Sequence, residues 1–161
     1  MLSLKEVKKY SSNPDKIITP YLTVQVSETV VSPGDTVIVF GKLGMSKGDV
    51  NDDGYIGIDD IVMAAERYGA LRGDPNYEPK ADVNDDGYIG IDDIVTMAEL
   101  YGQNAEGKPI ELQQLVNDQW IKLQETMTAT GGSYSFNVQI PSDFPVPSTL
   151  YFRAYFPGGE Y

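Results

Sequence analysis

Residues 49–69, DVNDDGYIGIDDIVMAAERYG, recur almost unchanged as residues 82–102, DVNDDGYIGIDDIVTMAELYG. The copies begin 33 residues apart and agree at 18 of 21 positions. In the first copy, side-chain oxygens fall at Asp49, Asn51, Asp53 and Asp60, which are positions 1, 3, 5 and 12 of a twelve-residue loop. Gly54 stands at position 6, where the chain turns sharply and a side chain would interfere. Tyr55 at position 7 offers its main-chain carbonyl, and Gly57 at position 9 leaves room for a bridging water. The second copy repeats the order with Asp82, Asn84, Asp86, Gly87, Tyr88, Gly90 and Asp93. An all-oxygen set of this kind suits a hard cation needing six to eight oxygens, so two calcium ions are expected per chain. A surface turn rich in Asp, Asn and Gly would explain one such loop, but not two in the same order.

Each loop runs into an apolar pattern of helical period. Ile58, Ile61, Val62 and Ala65 are followed by Gly69 as a C-terminal cap, and Ile91, Ile94, Val95 and Ala98 by Gly102. A strand-like run and a turn, TVIVFGKLGMSKG, precede the first loop. RGDPNYEPKA precedes the second, and its two prolines disfavour a regular helix. The unit is therefore a loop with an exiting helix, and position 12 is the short Asp where EF-hands usually carry Glu.

That combination resembles the dockerin family over roughly residues 47–103. The resemblance implies a pair of calcium-binding half-EF-hands that docks onto a cohesin module of another protein, with a pseudo-twofold relation between the copies. Family partner contacts at loop positions 10 and 11 carry over to Ile58 and Asp59, and to Ile91 and Asp92. Many bacterial dockerins have small hydroxyl pairs there, so this chain departs from them.

The formal net charge is −12, yet each loop holds five acids and no Lys or Arg, leaving only −2 for the remainder. Two calcium ions would bring the total to about −8. The acidity belongs to the loops, and no basic stripe exists to engage a nucleic acid. The chain has no Cys and no His, which removes disulfides, thiol nucleophiles and His-based triads. No apolar run is long enough to span a bilayer. Loops of this kind suit the millimolar calcium found outside the cell, so an extracellular or cell-surface location is expected. Because MLSLKEVKKY lacks a signal-peptide core, the chain is expected to be a fragment or mature portion of a longer protein.

Flanking the repeat are period-two segments: Leu22, Val24 and Val26; Thr36–Lys42 after the turn at Ser32-Pro33-Gly34-Asp35; Ile110–Val116 and Trp120–Glu125 across Asn117-Asp118; Tyr134 to Ile140; and Leu150–Phe156. They indicate a mixed chain whose larger part is an antiparallel β-sandwich. The phrases VSPGDTVIVFGKL, GKPIELQQL, TGGSYSFNVQIP and TLYFRAYFPGGEY are similar to immunoglobulin-like repeats of microbial surface proteins. The expected organisation is an N-terminal segment 1–16, helical if ordered; a discontinuous immunoglobulin-like sandwich, 17–44 and 107–161; and a dockerin-like insert, 45–106. Such repeats end in a further edge strand, so the N-terminal segment or a strand-addition partner is expected to cover the last edge.

Three functions follow. The first is a calcium-dependent module docking on a cohesin. The second is a calcium-stabilised stalk repeat without cohesin binding. The third, an enzyme, is disfavoured because the acid pairs are committed as ligands. Met63, Ala64 and Arg67 against Thr96, Met97 and Leu100 separate the first two: outward they extend a docking patch, inward they favour a stalk. The tripeptide Arg72-Gly73-Asp74 matches an adhesive motif but lies in the turn between the loops.

Overall fold

The computed structural model describes residues 2–10, as backbone, and residues 18–158. Its strands are β1 (Leu2–Tyr10), β2 (Pro20–Leu22), β3 (Gln25–Val26), β4 (Val30–Val31), β5 (Thr36–Met45), β6 (Pro109–Val116), β7 (Gln119–Met127), β8 (Ser133–Gln139) and β9 (Ser148–Phe156). Two short helices, α1 (Ile58–Ala65) and α2 (Ile91–Glu99), lie between β5 and β6. One sheet has the order β4-β1-β9-β6-β7; the other pairs β5 with β2, β3 and β8. Pairing is antiparallel except between β1 and β9.

Alternation explains why these segments are strands. Tyr134, Phe136 and Val138 on β8 are buried between exposed neighbours, and Leu150, Phe152, Ala154 and Phe156 on β9 are buried between the half-buried Tyr151, Arg153 and Tyr155. With Val37, Val39 and Leu43 of β5 and Ile110 and Leu112 of β6, they form one core shared by both sheets. This gives the molecule a sandwich-like body, with each large apolar side chain contributing about 1.5–3 kcal/mol by its removal from water. The β6–β7 hairpin turns through Asn117 and Asp118, both at positive φ (50° and 60°), the pairing of left-handed residues that matches strand twist. Pro33 and Gly34 make the turn into β5, where Ser32 N–H donates to Asp35 Oδ2 at 2.7 Å.

The N-terminal segment departs from expectation. Residues 2–10 form strand β1 and not a helix; residues 11–16 of that segment lie outside the described residues, as does the end of the PGGEY turn, 159–161. β9 offers a free edge, and β1 pairs with it in parallel from Leu2↔Ser148 to Tyr10↔Phe156. A full ladder of backbone hydrogen bonds outweighs local helix preference. Of the two expected covers for that edge, the N-terminal segment and a partner strand, it is the N-terminal segment that fills it. Among the described residues no helix is long and apolar enough to cross a membrane.

The helical segment packs around its own small core of Val50, Ala64, Ala70, Ala81, Val83, Ile89 and Met97. Its two copies clasp each other. Ile56 N–H donates to Gln103 O (2.8 Å) and Gly102 N–H to Ile56 O (2.9 Å). Shifted by the repeat length, Ile89 N–H donates to Ala70 O (3.0 Å) and Gly69 N–H to Ile89 O (2.9 Å). Position 8 of each loop is thus bridged to the end of the other copy's helix, a reciprocal arrangement with twofold character.

Candidate metal centres and the adjoining helix face

Asp49, Asp60, Asp82 and Asp93, positions 1 and 12 of the two loops, are all buried. Burying a carboxylate is unfavourable unless it is hydrogen-bonded or paired. Asp60 Oδ1 accepts from Val50 N–H (2.7 Å) and Asn51 N–H (3.1 Å), and its Oδ2 accepts from Gly57 N–H (2.8 Å). Asp93 repeats this with Val83, Asn84 and Gly90. The last loop carboxylate therefore also caps the start of its helix. Asn51 Oδ1 accepts from Asp53 N–H (2.9 Å) and Asp53 Oδ1 from Tyr55 N–H (2.9 Å), closing successive turns; Asn84, Asp86 and Tyr88 match them. Gly54 (φ +86°) and Gly87 (φ +89°) occupy the sharp turns. A Cβ at Gly54 would also meet the backbone of Gly131 at 2.9 Å, where the sandwich abuts the first loop.

These loops fit a hard cation. A carboxylate offers about four lone-pair sites. Asp49 receives one N–H on each oxygen, from Asp53 and Gly54, and retains acceptor capacity on both. Asp82 Oδ2 receives Gly87 N–H (3.0 Å), the Tyr77 hydroxyl and Arg72 (3.3 Å), while buried Asp82 Oδ1 has no hydrogen-bond partner among the described residues. An orphaned buried carboxylate oxygen at position 1 is what a loop built around a cation would present. No group of three carboxylates is drawn into a closed cage among the described residues. The backbone N–H groups hold the acids around each loop.

Position 4 carries a feature the motif does not announce. Asp52 and Asp85 both adopt left-handed φ, 63° and 62°. Asp52 Oδ1 accepts from the Tyr21 hydroxyl (2.6 Å) and Lys80 Nζ (2.9 Å) and pairs with Lys42 Nζ at 3.2 Å. Tyr21 and Lys42 belong to β2 and β5, so the first loop is fastened to the sandwich. Burial pushes the Asp52 carboxyl up, but the hydrogen bonds from Tyr21 and Lys80 prevail and lower it to about 2. Burial, then the bond to Asp52, raises the Tyr21 hydroxyl. Burial raises Asp49 against the opposing pull of Lys80; it opposes the net lowering of Asp82, which the bonds from Tyr77 and Gly87 produce. Arg72 of the adhesive-like tripeptide is engaged with Asp82 and Asp85 beside the second loop.

The helices divide their apolar residues between two faces. Ala64 and Met97 point into the small core, with Ile61, Met63 and Leu100 packed against it. Ile58 (59% exposed) and Val62 (48%) on α1, and Ile91 (62%) and Val95 (51%) on α2, stand in solvent. The Ile–Val stripe is outward-facing, and most of the positions distinguishing the copies are inward-facing. Asp59 and Asp92 are exposed beside the isoleucines, and Asp92 Oδ2 accepts from Asn84 Nδ2 at 2.8 Å. The rings of Tyr55 and Tyr88 have partners of their own: Tyr55 meets Tyr101 edge-on at 6.1 Å, and Tyr88 meets Tyr68 at 6.3 Å. These cross-copy rings flank the helix pair at both ends. Compared with known proteins, the chain matches no protein-family model, no curated protein and no solved structure.

Proposed function

We propose that residues 45–106 are a calcium-dependent docking module of dockerin type, binding a cohesin module of another protein and displayed by an immunoglobulin-like sandwich outside the cell. The observation that carries this reading is the coincidence of two hard-oxygen loops with two exposed Ile–Val stripes on the helices they launch. Asp49, Asn51, Asp53, Asp60 and the Tyr55 carbonyl would hold one ion; Asp82, Asn84, Asp86, Asp93 and the Tyr88 carbonyl the other. Calcium, when bound, supplies the positive centre that keeps each acidic loop compact. The chain's own residues do the recognition. Ile58, Val62, Ile91 and Val95 provide an apolar centre, and exposed Asp59 and Asp92 provide an acidic rim. A complementary partner has an apolar platform edged with Lys or Arg.

The module acts by binding and not by catalysis in this reading. Its acids hold loops together, and a cleft of about 440 Å³ between β7 and β8 is walled by Leu123, Val138, Ile140, Phe144 and Phe152, with no acid or base among its lining residues. A second reading, a calcium-stiffened stalk repeat, is favoured by buried Ala64 and Met97 and by the fastening of Asp52 to β2 and β5. Calorimetry against a panel of cohesin modules, with calcium and again with chelator, separates them. Tight binding only with calcium supports docking. Two bound ions with no cohesin binding leaves the stalk.

A further inference from the structure

Lys47 and Lys80 occupy equivalent places, each two residues before the first ligand of its own loop. Neither serves that loop. Lys80 Nζ, ahead of loop two, donates to Asp52 Oδ1 of loop one at 2.9 Å. Lys47 Nζ, ahead of loop one, donates to Asp85 Oδ1 of loop two at 2.9 Å. Lys47 Nζ also donates to Asp82 O (2.7 Å) and Pro79 O (2.8 Å), at the mouth of loop two. The main chain joins the two approaches, with Gly48 N–H donating to Lys80 O at 2.9 Å. Both lysines are mostly buried, with side chains 14% and 23% exposed.

We propose that Lys47 and Lys80 are positioning residues forming a crossed brace that makes the two calcium sites fill cooperatively. This rests on the calcium reading above and adds a coupling that the loop motif does not contain. The clamped residue in each loop is position 4, the non-glycine held at left-handed φ between ligands 3 and 5. Ordering loop two fixes the backbone at 80–82 and with it the ammonium that holds Asp52. Ordering loop one fixes 47–49 and the ammonium that holds Asp85 and the Asp82 carbonyl. Each loop, once ordered, removes part of the ordering cost of the other. Two divalent cations repel, so charge alone favours independent or antagonistic filling. The backbone bridges at Ile56 and Ile89 also join the copies, so the brace's signature is positive coupling that is lost when either lysine is removed.

The test is calorimetric titration of the full chain with calcium chloride, fitted to two stepwise constants, with protease protection as a second readout. The expected wild-type result is two ions, the second binding about tenfold more tightly than the first after statistical correction. Lys47→Met and Lys80→Met should still bind two ions but bring that ratio close to one. Asp52→Asn and Asp85→Asn, cutting the far end of each brace, should do the same. Lys122→Met, on β7, should leave the ratio unchanged. Removing a cation raises affinity at both sites, so the ratio and not either constant is the readout. Two independent sites in the wild type, or undiminished coupling in folded brace variants, overturn the brace and leave the calcium reading intact. No bound calcium overturns both.

Discussion

Exchanging the core residues that differ between the copies tests whether the two helices share one space. Ala64 and Met97 are equivalent positions of the repeat, both fully buried in the same small cluster with Val50, Val83 and Ile89. One copy contributes a methyl group where the other contributes a long thioether, so the pair fills the centre asymmetrically. Met97→Ala should leave a void and cost about 2–5 kcal/mol. Ala64→Met should overpack the wild-type core and cost about 1–3 kcal/mol. In the double exchange the large side chain comes from α1 and the small one from α2, restoring the total volume. The two changes should then be coupled by about 0.5–3 kcal/mol in the favourable direction. Amide hydrogen exchange of α1 and α2 in saturating calcium reads this local opening energy without requiring the sandwich to unfold. Losses that merely add in the double variant would refute the shared-core geometry.

Asp49→Ala and Asp82→Ala should each reduce calcium stoichiometry from two ions to one by calorimetry, because each removes a position-1 ligand; two ions retained in either variant would sink the loop assignment. Ile58→Ser with Ile91→Ser should change stability by no more than about 0.5 kcal/mol, both side chains being exposed, and should abolish cohesin binding while two ions still bind; melting of the helices would contradict the outward placement. Tyr21→Phe removes the 2.6 Å bond to Asp52 and should cost about 1 kcal/mol, read as faster proteolysis at the joint between sandwich and helical segment; unchanged cleavage would count against the fastening. Glu111 is held below the ordinary Glu range by Gln113 and by Lys122 at 3.1 Å. Its folded value is the lower one, so its contribution is present above the unfolded value of 4.5 and disappears as pH falls below it. Glu111→Gln should flatten that part of an acid melting profile, and an unaltered profile would discount the pair.

Much of the sandwich is readable locally because buried alternation is a property of consecutive residues. Tyr134, Phe136 and Val138 show it, and Asn117-Asp118 announces its own turn. The loops are legible for a similar reason: twelve ordered positions carry their geometry within themselves, down to Gly54 and Gly87. The helix faces are not. Ile58, Ile61, Val62 and Ala65 form an apolar stripe on paper, yet an eight-residue helix with apolar groups on two sides can bury only one. The choice falls to Ile61 and Ala64 because the opposite copy lies there. Strand β1 was hidden too, since its partner β9 lies at the other end of the sequence. The crossed lysines leave one trace, their identical spacing ahead of Asp49 and Asp82; that each serves the opposite loop is visible only in three dimensions.

The parallel pairing of β1 with β9 has a mechanical consequence. A pull drawing Leu2 and Phe156 apart runs in opposite directions along two strands that point the same way. The ladder from Leu2↔Ser148 to Tyr10↔Phe156 is then loaded in shear, all its rungs together, and does not unzip one rung at a time. The helical segment joins the chain between β5 and β6, away from both loaded strands. Tension carried through the sandwich along this path would bypass it, leaving its twelve-residue acidic loops and exposed isoleucines unstretched under a load borne by its neighbour.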